Sequence, residues 1–378
     1  MRRINAFFVA LITVAVNVTA QNIVRDSEVE VSSPDGSQTI VFYQQKETDN
    51  TLKEYYRVNY KKQPVIIDSR IGLELDNRIW ELALAKKIER DSLWMDNLEY
   101  VNVERGVHSS EWHNPFGERS TVKDIYHSAI LHFAKRDGSN YRMDIEVRAY
   151  NEGIAFRFYF PEHPSAIYHK VTEDLTEYSF EPGAYAWSAE WAQAPYNRLP
   201  IGRLKNPAER ALTIELPNGL WTALTDADVD DWCLTKFKSS SEKKNTLRSV
   251  MYSSVDFVTY FATPWKVIIT AESPGDLVNH NDIILNLNPS NQITDAENWV
   301  KPGKIIRETT ITTEGGLVCI DFAAAHHLSY ILFDWKWYWP CISKDGDATK
   351  VVDKLDLKRV IEYGKEKGIG VWLYVNHH

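Results

Sequence analysis

Two different sequence periodicities divide this chain, and the change between them constrains the fold more than any other feature. Residues 23 to 284 consist of short alternating or β-branched runs separated by turn signals, such as Pro34-Asp35-Gly36 and Pro217-Asn218-Gly219. Such runs predict β-strands and tight turns, and together they predict a large all-β sandwich. The Lys- and Ser-rich segment 236–248 interrupts them and predicts a solvated loop. The clearest strand predictions are residues 39–43, 55–60, 126–133, 141–147, 154–160, 212–216 and 266–270.

Helices that alternate with continuous apolar runs replace this pattern towards the end of the chain. A capped helix is predicted for residues 317–327, and the apolar run 330–333 follows it. A second helix is predicted for residues 353–367, and Gly368 stops it before the apolar run 370–375. This alternation predicts a parallel α/β sheet. Because the chain has no phosphate-binding loop, a (β/α) barrel is favoured over a nucleotide-binding fold.

The expected fold class is therefore multidomain, with an N-terminal β-sandwich followed by the beginning of a (β/α)8 TIM barrel. Only two or three of the eight barrel units are visible, and the chain stops at His377-His378, directly after a predicted strand. We therefore expect the sequence to be the N-terminal part of a longer enzyme. The predicted division is a signal peptide at 1–20, the sandwich domain at 21–288, a linker at 289–298 and the incomplete barrel at 299–378.

The N-terminus has the pattern of a signal peptide. Arg2 and Arg3 precede the apolar run 6–16, and Val18-Thr19-Ala20 is a small-residue cleavage pattern before Gln21. The run is shorter than the ~20 apolar residues that a membrane-spanning helix needs. We therefore expect cleavage near Ala20-Gln21, a periplasmic or secreted protein, and no membrane association after cleavage.

Charge, cysteines and motifs argue against several functional classes. The 43 Lys and Arg against 52 Asp and Glu give a net charge of −9, which argues against a nucleic-acid binder that must neutralise phosphates. Cys233, Cys319 and Cys341 are too few and too widely spaced for a disulfide framework. The sequence contains no nucleotide-binding, zinc-binding or serine-hydrolase motif.

The predicted barrel places its candidate ligand-binding residues at the C-terminal ends of the strands. The first strand end continues as Asp334-Trp335-Lys336-Trp337-Tyr338-Trp339. The Asp334 carboxylate can bridge two sugar hydroxyls, and Trp335 and Trp337 can stack on a pyranose ring. Glycoside hydrolysis needs two carboxyl groups, and this chain offers one convincing carboxylate at a strand end.

Two further segments carry candidate residues. The second strand end is Asn376-His377-His378, where His377 or His378 could bind sugar oxygens or a metal. Adjacent strand residues point to opposite faces, so we expect at most one of the pair in the pocket and no metal ligation by both. Within the sandwich, the segments 187–191 and 193–197 combine aromatic rings with the carboxylate of Glu190. A role at a domain interface and plain loop packing both remain open for this loop.

Several motifs, in their order and spacing, resemble glycoside hydrolase family 97, the calcium-dependent α-glycosidases. The resemblance covers essentially the whole mature chain. It implies an N-terminal β super-sandwich, a catalytic (β/α)8 barrel and a small C-terminal β domain, of which the first is complete here, the second is begun and the third is absent. The motifs are Glu111-Trp112-His113-Asn114-Pro115-Phe116-Gly117-Glu118, Tyr150-Asn151-Glu152-Gly153-Ile154-Ala155-Phe156-Arg157-Phe158, Pro274-Gly275-Asp276-Leu277, Leu285-Asn286-Leu287-Asn288-Pro289, Trp299-Val300-Lys301-Pro302-Gly303-Lys304, and Asp334 with Trp337-Tyr338.

The resemblance also implies roles for particular residues. Inverting members of the family use glutamates and retaining members an aspartate nucleophile, all on later barrel strands, so the catalytic residues are expected C-terminal to His378. A substrate-contact role is implied for Asp334 and for His377 or His378. The family's sandwich domain supplies one calcium-binding glutamate, for which Glu190 is the candidate and Gln193 the alternative. The segment 353–375 is closer to the retaining branch.

The leading functional prediction is a secreted, exo-acting α-galactosidase or α-glucosidase that acts on oligosaccharides or other α-glycosides and depends on Ca2+. An alternative from another class is a non-catalytic carbohydrate-binding module. A weaker alternative is an aldose mutarotase, which would need a His and Glu pair inside the sandwich. We expect a monomer or a weak dimer with no nucleic-acid partner.

Overall fold

The computed structural model describes residues 23–76, 78–89, 94–136 and 139–376. The signal-peptide prediction for residues 1–20 and the predicted site residues His377 and His378 lie outside the described residues. The chain divides into two compact units, one that ends at Ser290 and one that begins at Asn291. We call them the sandwich unit and the α/β unit, and each is described by itself.

The sandwich unit is built from β-strands with two short helices at its end. Two single-turn 3-10 helices, Leu82–Leu84 and Ile201–Arg203, lie between strands. The elements are β1 (Ile23–Ser32), β2 (Gln38–Lys46), β3 (Leu52–Tyr60), β4 (Gln63–Arg70), β5 (Leu73–Leu75), β6 (Arg78–Glu81), β7 (Lys86–Glu89), β8 (Leu98–His113), β9 (Thr121–Lys135), β10 (Arg142–Tyr150), β11 (Gly153–Phe160), β12 (Ile167–Asp174), β13 (Glu177–Ser179), β14 (Tyr185–Ser188), β15 (Asn197–Pro200), β16 (Leu212–Glu215), β17 (Trp221–Ala227), β18 (Thr235–Ser239), β19 (Thr246–Met251), β20 (Val255–Val258), β21 (Phe261–Ala262), β22 (Trp265–Ala271), α1 (Pro274–Asn279) and α2 (Asp282–Leu287).

The strands of the sandwich unit form three antiparallel sheets. A seven-stranded sheet has the order β1-β2-β3-β4-β13-β19-β18. A ten-stranded sheet has the order β15-β14-β16-β17-β22-β11-β10-β9-β8, with β21 also paired to β11. The third sheet has the order β20-β12-β6-β7, with β5 also paired to β12. All the strand predictions from alternating runs are confirmed by these elements.

The two larger sheets pack face to face around one apolar core. Phe42 of β2 and Tyr56 of β3, from the seven-stranded sheet, contact Phe156 of the ten-stranded sheet at ring-centroid distances of 5.6 and 5.0 Å. All three side chains are buried. This packing is that of a β-sandwich, in which alternate side chains of each strand point into the shared core.

The middle of the ten-stranded sheet is buried on its second face as well. Trp265, Val267 and Ile269 of β22 pack with Leu277 of α1 and Ile283 of α2 in a separate apolar cluster. Every one of the seven residues of β22 is consequently buried. The two covering helices were not predicted, because each is only six residues long and shows no extended helical periodicity.

One prediction for the sandwich unit is only partly right. Residues 240–245 form the expected turn at the surface, but the two ends of the segment 236–248 belong to the paired strands β18 and β19. Lys236 is buried and its ammonium lies 2.6 Å from the carboxylate of Glu209. A buried lysine with a carboxylate partner has the same sequence signature as an exposed one, so composition alone misplaces it.

The α/β unit contains a three-stranded parallel sheet. Its order is β23-β24-β25, with Ile306 paired to Ile331 and Leu332 paired to Trp372. The helix α4 connects β23 to β24, and α5 connects β24 to β25. The elements are α3 (Ala296–Trp299), β23 (Ile305–Glu308), α4 (Thr313–Ala325), β24 (Tyr330–Phe333), α5 (Leu357–Lys367) and β25 (Gly370–Leu373).

The helices of the α/β unit differ from their predictions at the N-terminal ends. The first begins at Thr313 rather than 317, because the hydroxyl of Thr312 accepts a capping hydrogen bond from the Gly315 amide at 3.1 Å. Gly316 lies inside it, where a Cβ would come within 3.0 Å of Phe333 and Val360. Glycine is therefore required here by close packing rather than as a helix stop.

The second helix ends as predicted and begins later than predicted. Gly368 takes up a φ of +73° as its C-cap, which confirms the stop signal. Asp356 is its N-cap and accepts from the Arg359 amide at 3.0 Å, so residues 353–356 precede the helix. The strand at 330–333 is confirmed without change, whereas β23 was not predicted.

The described residues contain no helix that is both long enough and apolar enough to cross a membrane. Cys233, Cys319 and Cys341 are all free thiols, in agreement with the expectation that stability does not rest on disulfides.

Candidate functional site

The carboxyl ends of the three parallel strands lie along one edge of the sheet, and Asp334 follows the middle one. Its Oδ2 lies 3.0 Å from Nε of Arg307, which belongs to the neighbouring strand β23. The Asp334 side chain is 26% exposed and that of Arg307 is 54% exposed. The prediction that Asp334 lies at a strand end is therefore matched by its position, and its charge is balanced by a cation from the adjacent strand.

Two indole rings in the segment that follows Asp334 are exposed. Trp335 is half-exposed, and the ammonium of Lys336 lies 4.8 Å from its ring centroid. Trp339 is more exposed still. An exposed indole can stack on the apolar face of a sugar while a neighbouring carboxylate accepts hydrogen bonds from the hydroxyls of that sugar.

Trp337 was predicted to bind sugar, and the structure places it in the core instead. Its side chain is 3% exposed, and its Nε1 donates to the carbonyl of Tyr374 at 2.7 Å. The neighbouring Tyr338 is also buried, and its hydroxyl accepts from the Asn376 amide at 3.0 Å. These two rings therefore connect the loop after β24 to the end of β25 and offer no open face to a ligand.

Glu308 was not predicted from the sequence. It is the last residue of β23, and its role is structural. It is 4% exposed, and its carboxylate accepts from the amides of Thr310 and Ile311 at 2.8 and 2.7 Å. A Cβ on Gly315 would come within 2.5 Å of this carboxylate. Glu308 thus shapes the loop that leads into α4. The signal was a glutamate followed by a Thr-rich run before a helix, which is typical of local side-chain to backbone bonding.

A second group of exposed aromatic residues lies in the sandwich unit. The strands β14 and β15 form a hairpin in which Trp187 pairs with Arg198. Trp187, Trp191 and Tyr196 are exposed on this hairpin and its loop, with Tyr196 at 70%. The predicted clustering of aromatic rings at 187–197 is therefore observed on the surface.

Ionic and stacking contacts fix the orientation of this hairpin. The guanidinium of Arg198 donates to both oxygens of Glu215 at 2.8 and 3.1 Å, and it lies 3.6 Å from the ring centroid of Tyr185. The hydrogen bonds from Arg198 hold the pKa of Glu215 below its ordinary value. A guanidinium bound to both carboxylate oxygens resists rotation better than a single contact would.

Glu190, the calcium candidate, lies in the same loop and is exposed. Its Oε1 accepts from Nδ2 of Asn206 at 2.9 Å, and its backbone carbonyl accepts from Lys236 at 2.7 Å. Gln193, the alternative, is exposed as well. Calcium takes six to eight oxygen ligands. Within the described ranges no three His, Cys, Asp or Glu side chains come together as a metal site. These residues by themselves therefore do not fit a calcium ion, and Glu190 could supply a single ligand.

The motif that begins at Glu111 has a structural role in the sandwich unit. Nε1 of Trp112 donates to Oδ1 of Asn286 at 2.9 Å. Arg119 donates to both carboxylate oxygens of Asp282, at 2.7 and 2.8 Å, and these bonds raise its pKa. The motif, together with Arg119 directly after it, therefore fastens the long β8–β9 hairpin to α2.

Comparison with known families identifies both units. Residues 31–289 match the family model described as Glycosyl-hydrolase 97 N-terminal. Residues 296–378 match the model described as Glycoside hydrolase 97.

Two curated relatives carry galactosidase names. The chain is 21% identical over 378 aligned residues to the retaining alpha-galactosidase of Bacteroides thetaiotaomicron, with 85% of this chain and 53% of the relative covered. It is 20% identical to the probable retaining alpha-galactosidase of Streptomyces bingchenggensis, with 69% and 44% covered. The chain therefore spans about half the length of the curated relatives it matches.

Solved structures show the same fold. A Glycoside Hydrolase Family 97 enzyme from Pseudoalteromonas sp. strain K8, in complex with panose, superposes with a TM-score of 0.75 at 23% identity over 91% of this chain and 53% of that one. A beta-arabinopyranosidase superposes with a TM-score of 0.66 at 16% identity over 91% and 55%. Because the N-terminal family model alone spans more than half of the sequence, the chain belongs to glycoside hydrolase family 97.

Proposed function

We propose that the complete protein is a secreted, exo-acting α-glycoside hydrolase, of α-galactosidase or α-glucosidase type, and that this chain supplies its N-terminal super-sandwich and the start of its catalytic barrel. The observation that carries the proposal is the position of Asp334. It is a half-buried carboxylate at the C-terminal end of a parallel strand, it is paired with Arg307, and the exposed Trp335 and Trp339 follow it in the chain. In a family of glycoside hydrolases, this is the arrangement expected of a sugar-contact residue.

Asp334 is suited to binding rather than to cleavage. Its carboxylate lies against the Arg307 guanidinium, and carboxylate oxygens accept hydrogen bonds from sugar hydroxyls. Trp335 can stack on a sugar ring whose hydroxyls donate hydrogen bonds to Asp334. Glu308, at the next strand end, is buried and bound to backbone amides, so it is not the partner carboxylate. We place the catalytic carboxylates in the part of the relatives that this chain does not span.

The exposed face of the parallel sheet supports a barrel. Ile331 and Phe333 face the core of the α/β unit, whereas Trp372 and Ile305, on β25 and β23, are substantially exposed. Parallel sheets occur almost only with both faces covered. Closing the sheet into a (β/α)8 barrel would enclose this second face.

The choice of sugar follows from the relatives and is open to test. The two curated relatives are named for galactosides, and the solved Pseudoalteromonas enzyme was captured with panose and acarbose. We favour an α-galactoside because the segment 353–375 also leans towards the retaining branch. Calcium dependence and export through the predicted signal peptide are part of the proposal. In it, Glu190 supplies one calcium ligand and the remaining ligands come from elsewhere in the complete protein.

Turnover of nitrophenyl α-galactoside and nitrophenyl α-glucoside by the full-length protein tests the proposal. We expect nitrophenol release from one of the two and a KM raised by about tenfold or more in Asp334→Asn, because a carboxylate that accepts two hydroxyls is replaced by an amide. Asp353→Asn is the matched control, since Asp353 is an exposed aspartate of the same unit. Absence of release from both substrates, with and without added calcium, would refute the proposal.

A carbohydrate-binding module is the second candidate. It is favoured by the exposed rings of Trp187, Trp191 and Tyr196, which lie on a hairpin and loop whose strand β15 is joined to β16 by the Arg198–Glu215 ion pair. This alternative predicts sugar binding that Trp191→Ala weakens, with no nitrophenol release from either substrate.

A further inference from the structure

A cavity of about 160 Å3 lies in the sandwich unit, away from the aromatic hairpin and its loop in sequence. Its walls come from the residues that lead into β10, from the loop after β11 and from the first half of β12. The side chains that matter for its chemistry are Asn140, Tyr141, Arg142, Glu162, His163 and His169.

The inner wall is a buried histidine. His169 is 3% exposed, and its ring packs against Trp94, Phe160 and Phe257 at centroid distances of 5.8, 5.3 and 5.2 Å. Burial lowers the pKa of His169 to about 3, so the ring is neutral at physiological pH. Its Nδ1 is buried and has no hydrogen-bond partner. The wall is therefore uncharged and polar.

The rim of the cavity carries balanced charge. Arg142 supplies one cation and Glu162 one carboxylate. Nδ1 of His163 accepts from the Ser165 amide at 3.1 Å, which leaves Nε2 as the nitrogen that carries the proton in the neutral ring. A site with one charge of each sign and the buried, neutral imidazole of His169 favours a neutral ligand over an anion or a cation.

The side chains that line the cavity can form hydrogen bonds with the hydroxyl groups of a ligand. Asn, Arg and Glu side chains are planar and present pairs of donors or acceptors, which match the pairs of neighbouring hydroxyls on a sugar ring. The Tyr141 and His163 rings meet edge to face at 5.3 Å and give the cavity an aromatic wall. Hydroxyl-rich ligands with one apolar face fit a site of this composition.

Its size limits the ligand to one ring. At ~30 Å3 per water molecule, the cavity holds about five waters. It is smaller than the roughly 300 Å3 at which pockets for drug-sized ligands begin. We infer that the cavity binds one neutral pyranose unit, either a free monosaccharide or the end of a longer chain. This inference goes beyond the proposed hydrolysis and does not depend on it.

Sugar titration of the full-length protein tests the inference, by calorimetry and by saturation-transfer NMR. D-galactose and D-glucose are the probes, with sodium acetate and sodium sulfate as anion probes, each up to about 50 mM to cover millimolar affinities. We expect Glu162→Ala and His163→Phe each to weaken sugar binding by about tenfold or more. His163→Phe keeps a ring against Tyr141 while removing the nitrogens. Glu181→Ala is the matched control, because Glu181 is an exposed glutamate of the same unit.

A further variant separates this site from the aromatic hairpin. In Trp187→Ala the sugar binding that depends on Glu162 should persist, because Trp187 does not line the cavity. Three results would overturn the inference: no sugar binding at the highest concentration, tighter binding of the anions than of the sugars, or binding that Glu162→Ala and His163→Phe leave unchanged. Because the readout is binding, an absence of nitrophenol release refutes the hydrolase proposal and leaves this result standing.

Discussion

The Oδ2 atom of Asp334 lies 3.0 Å from Nε of Arg307, across two adjacent parallel strands. The pair is partly exposed, so its contribution to folding is small, at about 0–1 kcal/mol. The contact matters because it orients the Asp334 carboxylate, next to Trp335 in the chain, at the carboxyl end of the sheet. We therefore predict that Asp334→Asn changes the melting temperature by only a few degrees at most while raising KM. Thermal unfolding and initial rates on the same preparation check this, and a large loss of stability would show that the pair is mainly structural.

Glu54 predicts a loss of stability as the pH rises from about 4.5 to about 8. It is fully buried, and burial raises its pKa to about 8, although Gln44 donates to its Oε1 at 2.9 Å. The unfolded chain releases this proton near pH 4.5 and the folded chain near pH 8, so stability falls between these values and levels off above them. The difference amounts to roughly 5 kcal/mol at most.

Glu54→Gln tests that linkage. The amide cannot ionise, so in urea unfolding we expect the stability of the native protein to fall between pH 5 and pH 8 and the variant to lose this slope. Glu47→Gln serves as the control substitution at a glutamate that is not fully buried. An unchanged slope in Glu54→Gln would mean that Glu54 is ionised in the folded protein.

His169 predicts the opposite dependence at acid pH. Its pKa is lowered to about 3 by burial, whereas the unfolded chain takes up this proton near pH 6.5. Stability should therefore fall as the pH drops from 6.5 towards 3. We expect His169→Phe, which places another ring among Trp94, Phe160 and Phe257, to reduce this acid dependence in urea unfolding. Equal acid dependence in the two proteins would contradict the prediction.

Gly316 predicts a packing defect on substitution. A Cβ there would lie 3.0 Å from Phe333 and from Val360. We expect Gly316→Ala to destabilise the α/β unit by about 1–3 kcal/mol through overpacking. Hydrogen exchange of the β24 amides measures this locally. Gly202→Ala is the control, because nothing lies within 4 Å of the added Cβ, and equal effects of the two would exclude a packing origin.

Sequence reasoning located the elements of the fold best where local signals were strong. The apolar run 330–333 and the stop at Gly368 matched the structure residue for residue, because a continuous apolar run and a left-handed glycine cap are both local. β23 was missed because Ile305–Glu308 is short and half charged, and its pairing with β24 defines it as a strand. Lys236 was misplaced because its carboxylate partner, Glu209, is distant in sequence.

The candidate site was harder to predict than the fold. Trp335 and Trp337 have the same side chain and lie two residues apart, yet only Trp337 is buried. The difference arises from the Tyr374 carbonyl, which accepts the Trp337 indole N–H from the end of a strand that comes later in the chain. Asp334 could be predicted because its place follows from the strand pattern, whereas its partner Arg307 lies on the strand that sequence reasoning did not find.

The burial of β22 on both faces has a consequence for how this protein can vary. Along most strands of a sandwich, buried side chains alternate with side chains that face water and tolerate substitution. In β22, none of the seven residues Trp265–Ala271 faces water. Lys266 is included, because its ammonium is paired with the buried carboxylate of Asp174. A substitution at any of these seven positions therefore alters a packed side chain. Substitutions at Trp265, Val267 and Ile269 should therefore arise in pairs with residues of α1 and α2, and a substitution at Ile268 should arise with residues of the sandwich core.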